Sequence, residues 1–117
     1  MYYTYMLRCE DDSIYTGITT NVEKRFNEHL LKGKKCAKYT RNHEVKKIES
    51  VWQSENRILA SKLEFYIKKL SKKQKEELIQ SNNLEELLSK KVDCSKYLKV
   101  EHIGNMNKLK DTINNVI

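Results

Sequence analysis

Tyr5 and Tyr15 stand ten positions apart, a second ten-residue step leads to Arg25, and His29 follows one helical turn later. Glu64 adds a carboxylate far downstream. Phenol, guanidinium, imidazole and carboxylate are the groups that phosphodiester hydrolysis calls for. They supply an activated water, charge stabilisation on the phosphoryl oxygens and help for the leaving oxygen. Singly, each has a plainer explanation. Strand tyrosines ordinarily pack, Arg25 has Glu28 within pairing distance on a helix, and Glu64 has Lys68 four residues on. His29 would sit near a helix C-terminus, where the dipole favours it. The joint spacing shifts the balance towards chemistry.

These groups meet only if the elements bring them together. Residues 2–9 and 13–19 are β-rich runs separated by Glu10-Asp11-Asp12-Ser13, and Tyr3, Tyr5 and Leu7 alternate with Thr4, Met6 and Arg8. An antiparallel hairpin is predicted, which draws the two phenols close; Gly17 in its second strand signals a bulge or a close approach. The pattern Thr20-x-x-Glu23 predicts a capping box for a helix whose core stripe is Val22, Phe26 and Leu30. Arg25 and His29 share a face flanking that stripe. Val45 to Trp52 reads as a third strand with slippage in its alternation. Ser54 is expected to open a helix carrying Leu59, Leu63, Tyr66, Ile67 and Leu70, with Glu64 at the edge of its apolar stripe. Ser71-x-x-Gln74 predicts another capping box, Leu84, Leu87 and Leu88 a short helix, and Met106, Leu109, Ile113 and Val116 a terminal one. The expectation is one α+β domain with a three-stranded, mainly antiparallel sheet flanked by helices, plus a helical C-terminal tail.

At 117 residues there is room for one modest core and an appendage. The net charge of +7 is unevenly placed. Lys32, Lys34, Lys35, Lys38, Arg41, Lys46 and Lys47 face one acid, Glu44, within a single stretch, whereas residues 81–117 carry six basic and five acidic groups. A local surplus suits a phosphate backbone, bound through counterion release; a lysine-rich solvating surface is the competing explanation. Cys9, Cys36 and Cys94 are widely spaced without a C-x-x-C pair, which argues against a zinc site or a disulfide framework. No basic start leads into an apolar run and no segment has transmembrane length, so a cytoplasmic location is expected.

Residues 1 to about 80 resemble a GIY-YIG nuclease domain, and within that superfamily the small stand-alone bacterial YhbQ-type members. The resemblance rests on Tyr5, on Tyr15-Thr16-Gly17, on the run from Gly17 to Arg25 with His29 after it, and on Glu64. Leu70 to Glu76 is similar to the end of the stand-alone members. Thr4 and Thr16 replace isoleucines of the motifs, and Glu76 stands where repair-type members have an asparagine twelve residues after the glutamate.

The resemblance implies a metal-dependent endonuclease acting on DNA in repair or recombination, with residues 81–117 as a helical extension. Arg25 would grip the scissile phosphate through parallel N–H bonds, and Tyr15 would orient or deprotonate the attacking water. A phenol serves as a base only beside cations, its ordinary pKa being about 10. His29 is the alternative base or the acceptor of the tyrosine proton, and Tyr5 would hold the water or phosphate. Glu64 would bind one divalent ion, magnesium or another such as manganese, that keeps most of its waters. Lys34, Lys35, Lys38, Tyr39 and Arg41 would bind nucleic acid, Tyr39 by stacking on a base. The five chemical residues are expected on one exposed concave surface. Two alternatives stay open: a nucleic-acid-binding module of the same fold with little or no turnover, and an interaction protein whose tail recruits a protein partner.

Overall fold

The computed structural model describes residues 1–31 and 43–101. Strand β1 (Tyr2–Cys9) and strand β2 (Ile14–Thr19) pair antiparallel, with Tyr5 opposite Gly17 and Leu7 opposite Tyr15. Both phenols therefore leave the same face of the sheet. At the turn the Cys9 N–H donates to the Ser13 carbonyl at 2.9 Å, and Asp12 takes a φ of 72°. Aspartate tolerates that left-handed region better than most side chains.

Helix α1 (Val22–Leu31) starts one residue later than the predicted capping box. Asn21, not Thr20, is the cap: its Oδ1 accepts the Lys24 N–H at 3.1 Å, and the Thr19 hydroxyl accepts the Asn21 N–H at 3.1 Å. Two side chains thus satisfy donors that a threonine cap would have met earlier.

Strand β3 (Val45–Ser54) pairs with the other edge of β1, and its register jumps between Met6 and Leu7 and between Arg8 and Cys9. Glu49 and Lys46 are passed over, so β3 carries two extra residues as bulges. This explains the slippage: Val45, Ile48 and Val51 lie three apart yet enter the same core. Helix α2 (Arg57–Lys69) is capped by Asn56, whose Oδ1 accepts the Leu59 N–H at 2.9 Å. Ser54, the expected helix opener, ends β3 instead. Helix α3 (Lys72–Ser81) has the predicted Ser71–Gln74 capping box with both reciprocal bonds. Helix α4 (Leu84–Leu88), a 3-10 turn (Cys94–Lys96) and strand β4 (Leu98–Lys99) follow.

The sheet has four strands in the order β2-β1-β3-β4, not three. Two residues are too few to show a period-two pattern, and β4 is fixed only by pairing Lys99 with Trp52 and Leu98 with Gln53. Helix α1 covers one face over Tyr5, Leu7, Phe26, Ile48 and Val51. Helices α2 to α4 cover the other over Met6, Trp52, Leu63, Ile67, Leu78 and Leu88. The Tyr97 hydroxyl donates to the Leu59 carbonyl at 2.7 Å, anchoring the segment after α4 to α2. The fold is therefore α+β, an antiparallel sheet packed with helices. Among the described residues Cys9 and Cys94 are free thiols, and no helix is long and apolar enough to cross a membrane. The expected helix carrying Met106, Leu109, Ile113 and Val116, and Cys36, lie outside the described residues.

Candidate active site

The Tyr5 ring crosses from β1 over Gly17 of β2. A Cβ at position 17 would stand 2.6 Å from the Tyr5 hydroxyl oxygen and 2.7 Å from the ring carbon that carries it. The β1–β2 register runs unbroken through Gly17, so of the two expected reasons for this glycine the close approach is the one realised. Tyr5 is buried and cannot swing out freely. Gly17→Ala is therefore expected to lose about 1–3 kcal/mol of stability, the usual range for overpacking, read from the urea midpoint. Wild-type stability in that variant would show that the phenol can move at no cost.

Beneath the phenols lies an imidazole. Tyr5 Oη and His29 Nε2 are 2.9 Å apart, and the His29 ring meets the Tyr5 and Tyr15 rings edge-on at centroid distances of 5.9 and 5.4 Å. Tyr5 and Tyr15 themselves are 6.2 Å apart. Arg25, one turn before His29 on α1, is within hydrogen-bonding reach of the Tyr5 phenol and sits 3.4 Å from Glu28. Helix α2 brings Glu64 close enough for its charge to act on Tyr5. Lys68, one turn on, lies 3.4 Å from Glu64 and 5.9 Å from the Tyr15 ring centroid.

Burial, and then Tyr15, pushes the Tyr5 phenol well above its ordinary range, against the opposing pull of Arg25. Tyr5 thus keeps its proton. Burial and the Arg25 charge lower His29 to about 4, so the imidazole is neutral at pH 7. Arginine only donates, so a phenol that accepts from Arg25 gives its own proton to Nε2 and leaves the imidazole proton on Nδ1.

The same burial has a stability consequence. In the unfolded chain His29 titrates near the ordinary value of about 6.5 and takes a proton before the folded state does. Its contribution is complete above that pH and is lost as pH falls towards 4. At about 1.4 kcal/mol per unit this is about 3 kcal/mol. Unfolding free energy measured against pH should fall through that window in the wild type and stay level there in His29→Gln. A slope unchanged by the substitution would contradict the assignment.

Tyr5, Tyr15, Arg25, His29 and Glu64 come together, but they are not all exposed as expected. Tyr5 is 2% and His29 0% exposed, whereas Tyr15, Arg25 and Glu64 are half-buried. Two groups lie under the site and three line it, because the hairpin face that carries Tyr5 is also core. Lys34, Lys35, Lys38, Tyr39 and Arg41 lie outside the described residues. Lys68, expected as a surface partner of Glu64, makes that pair and also stands over Tyr15. His43 has its Nδ1 2.7 Å from Asp11 Oδ2, at the turn of the hairpin. Glu76 turns away from the site. Its carboxylate takes Arg8 Nη1 at 2.6 Å and Nη2 at 2.5 Å, while the bulged Glu49 takes Arg8 Nε at 3.0 Å. Arg8 alternates with Leu7, so this cluster is on the sheet face opposite Tyr5.

No three histidine, cysteine, aspartate or glutamate side chains among the described residues converge as a metal cage. A single carboxylate fits a hard divalent ion that takes its other ligands from water and substrate phosphate.

The family model described as the GIY-YIG catalytic domain matches residues 1–77. The chain belongs to the GIY-YIG family. A UPF0213 protein of Fusobacterium nucleatum is 54% identical over 78 residues, covering 67% of this chain and 76% of that protein. The UPF0213 protein YhbQ of Salmonella arizonae is 38% identical over 89 residues, covering 75% and 87%. The solution NMR structure of a UPF0213 protein from Bacillus halodurans is 37% identical with a TM-score of 0.42, covering 68% of this chain and 84% of that one. GIY-YIG nucleases typically use a divalent metal.

Proposed function

We propose that this GIY-YIG protein is a metal-dependent endonuclease hydrolysing phosphodiester bonds in DNA, with repair or recombination as its setting. The observation that carries the reading is the buried Tyr5–His29 hydrogen bond at 2.9 Å, with Tyr15, Arg25 and Glu64 gathered around it. Burying a neutral imidazole against a phenol leaves two polar groups that must satisfy each other, and a purely structural pair would be cheaper as apolar residues.

The residues divide by exposure. Arg25 grips the non-bridging oxygens of the scissile phosphate, exchanging Glu28 for substrate. Tyr15 orients the attacking water and takes its proton, passing its own phenolic proton to solvent as it does so. Tyr5 fixes Arg25 on one side and His29 on the other, so the guanidinium is held before substrate arrives. Glu64 would hold the divalent ion, magnesium or manganese, which when bound would neutralise charge on the reacting phosphate. Lys68 is half-exposed and can leave Glu64 at small cost, since a surface pair is worth about 0–1 kcal/mol. Lys34, Lys35, Lys38, Tyr39 and Arg41 would bind the flanking nucleic acid, and a protein partner could be recruited through residues 81–117, whose described part packs onto the sheet through Leu84, Leu88 and β4.

Purified protein incubated with magnesium and labelled duplex, branched and single-stranded DNA and RNA tests the reading. Cleavage abolished by chelation is expected on at least one DNA. Protein that binds with a steep salt dependence but never cuts would put the inactive binding module in its place. The gripping residues have their own signature: replacing Lys34, Lys35 and Lys38 together should weaken binding and lower the salt slope by about 2–3, near one for each phosphate no longer neutralised. An unchanged slope would remove them from the interface.

A further inference from the structure

On the sheet face opposite Tyr5, β4 carries an anomaly. Lys99 Nζ is the one buried side-chain nitrogen or oxygen among the described residues that has no hydrogen-bond partner. It lies 5.4 Å from the centroid of the Trp52 ring, on the residue paired with it across the sheet. An indole face attracts an ammonium, but it satisfies none of the three N–H donors. Leaving them unmet in a buried place costs free energy, and such groups in native proteins ordinarily have an explanation.

The explanation is beside it. Trp52, Asn82, Leu84, Glu85, Cys94, Tyr97 and Lys99 line a cavity of about 170 Å³. Tyr97 is committed to the Leu59 carbonyl, and Asn82 Oδ1 accepts from the Ser50 hydroxyl at 3.5 Å, which leaves the Asn82 N–H2 group as a second donor in the lining. Glu85 is exposed and does not hydrogen-bond Lys99, whose Nζ has no partner among the described residues. Burial pushes the Lys99 ammonium down from its ordinary range, with Glu101 acting the other way. Nζ itself exposes almost no surface, so a negative group in the cavity would meet the ammonium as the Lys99 side chain turns towards it, and would then supply both the charge and the acceptors that it lacks.

We propose that this cavity is a phosphate-binding pocket, with Lys99 as the counter-charge, the Asn82 amide as a second donor and Trp52 as its floor. It is distinct from the catalytic residues, since Trp52 and Tyr5 belong to cores on opposite faces of the sheet. A phosphate group accepts several charge-assisted hydrogen bonds at once, which suits an ammonium with no other partner.

Trp52 is the only tryptophan of the chain, so its fluorescence reports on the pocket directly. Titrating the full-length protein with inorganic phosphate at constant ionic strength should change the emission saturably. Lys99→Met, which keeps the apolar stem, should bind at least tenfold more weakly; no saturable change, or equal binding by the variant, overturns the proposal. Wild-type protein supplies a second reading that does not depend on the variant folding. In NMR, phosphate should move the Lys99 side-chain and Trp52 indole signals together, and movement elsewhere without these two overturns it. A 5′-phosphorylated oligonucleotide compared with its 5′-hydroxyl form then separates the sources. Tighter binding of the former assigns the pocket to a nucleic-acid end, and equal binding assigns it to the free ion.

Discussion

Glu64→Ala is expected to abolish divalent-dependent cleavage, by about a hundredfold or more, while leaving nucleic-acid binding nearly intact. A carboxylate that holds a charge-neutralising ion at the reacting phosphate accounts for several kcal/mol of barrier, and each 1.4 kcal/mol is about tenfold in rate. Binding should survive because the lysines supply the grip on the backbone. The fold should survive as well, since Glu64 is half-buried beside the α2 stripe and its salt-bridge partner Lys68 is half-exposed. Cleavage time courses with magnesium and with manganese, run beside a binding titration, separate the two properties. A variant that binds and cuts like the wild type would remove Glu64 from the site. One that loses both would make it a structural residue.

Much of this arrangement was legible in the chain because local chemistry and tertiary need agreed. The hairpin, the Ser71–Gln74 capping box and the α2 repeat are set by neighbours in sequence, and the structure contains all three. The departures have a common origin in competition between near-equivalent local choices. Thr20 and Asn21 can both cap, and the hydroxyl of Thr19 tips the start of α1 to Asn21. Ser54 can cap too, but β3 keeps it as the partner of Tyr2. The bulges at Lys46 and Glu49 look like noise in a period-two pattern until β1 is laid beside them. Strand β4 exists only through its pairing with β3, which no local signal encodes.

The site shows the same division. Tyr5, Tyr15, Arg25, His29 and Glu64 were recognisable as a set by spacing, yet spacing says nothing of depth. His29 could be read as a surface residue from its place in α1, and it is fully buried because the Tyr5 phenol reaches over Gly17 to meet it. That meeting depends on three elements at once. Glu76 illustrates the reverse: the missing asparagine was visible, but the destination of the carboxylate was not. Arg8, near the end of β1, draws it to the opposite face together with the bulged Glu49.

Tyr15→Phe should preserve the fold and lose most turnover. The substitution deletes one hydroxyl and keeps the ring, and it is the ring that packs beside Tyr5, His29 and Lys68 at 6.2, 5.4 and 5.9 Å. Stability should therefore change by no more than about 1 kcal/mol, the ordinary worth of a single hydrogen bond. Proton transfer from a positioned side chain typically contributes about 10²–10⁴ in rate, and that is the loss expected in kcat. Tyr5→Phe provides the contrast. Tyr5 holds its proton because it is buried, and it touches His29, so deleting its hydroxyl strands the buried imidazole nitrogen and releases Arg25. That variant should lose stability as well as rate, and its KM should rise as the guanidinium loses its fixed position. Urea unfolding and steady-state cleavage on both variants read the difference. Equal loss of stability in the two would mean that Tyr15 serves the core as Tyr5 does. A Tyr15→Phe enzyme that cuts at the wild-type rate would leave the attacking water to another base.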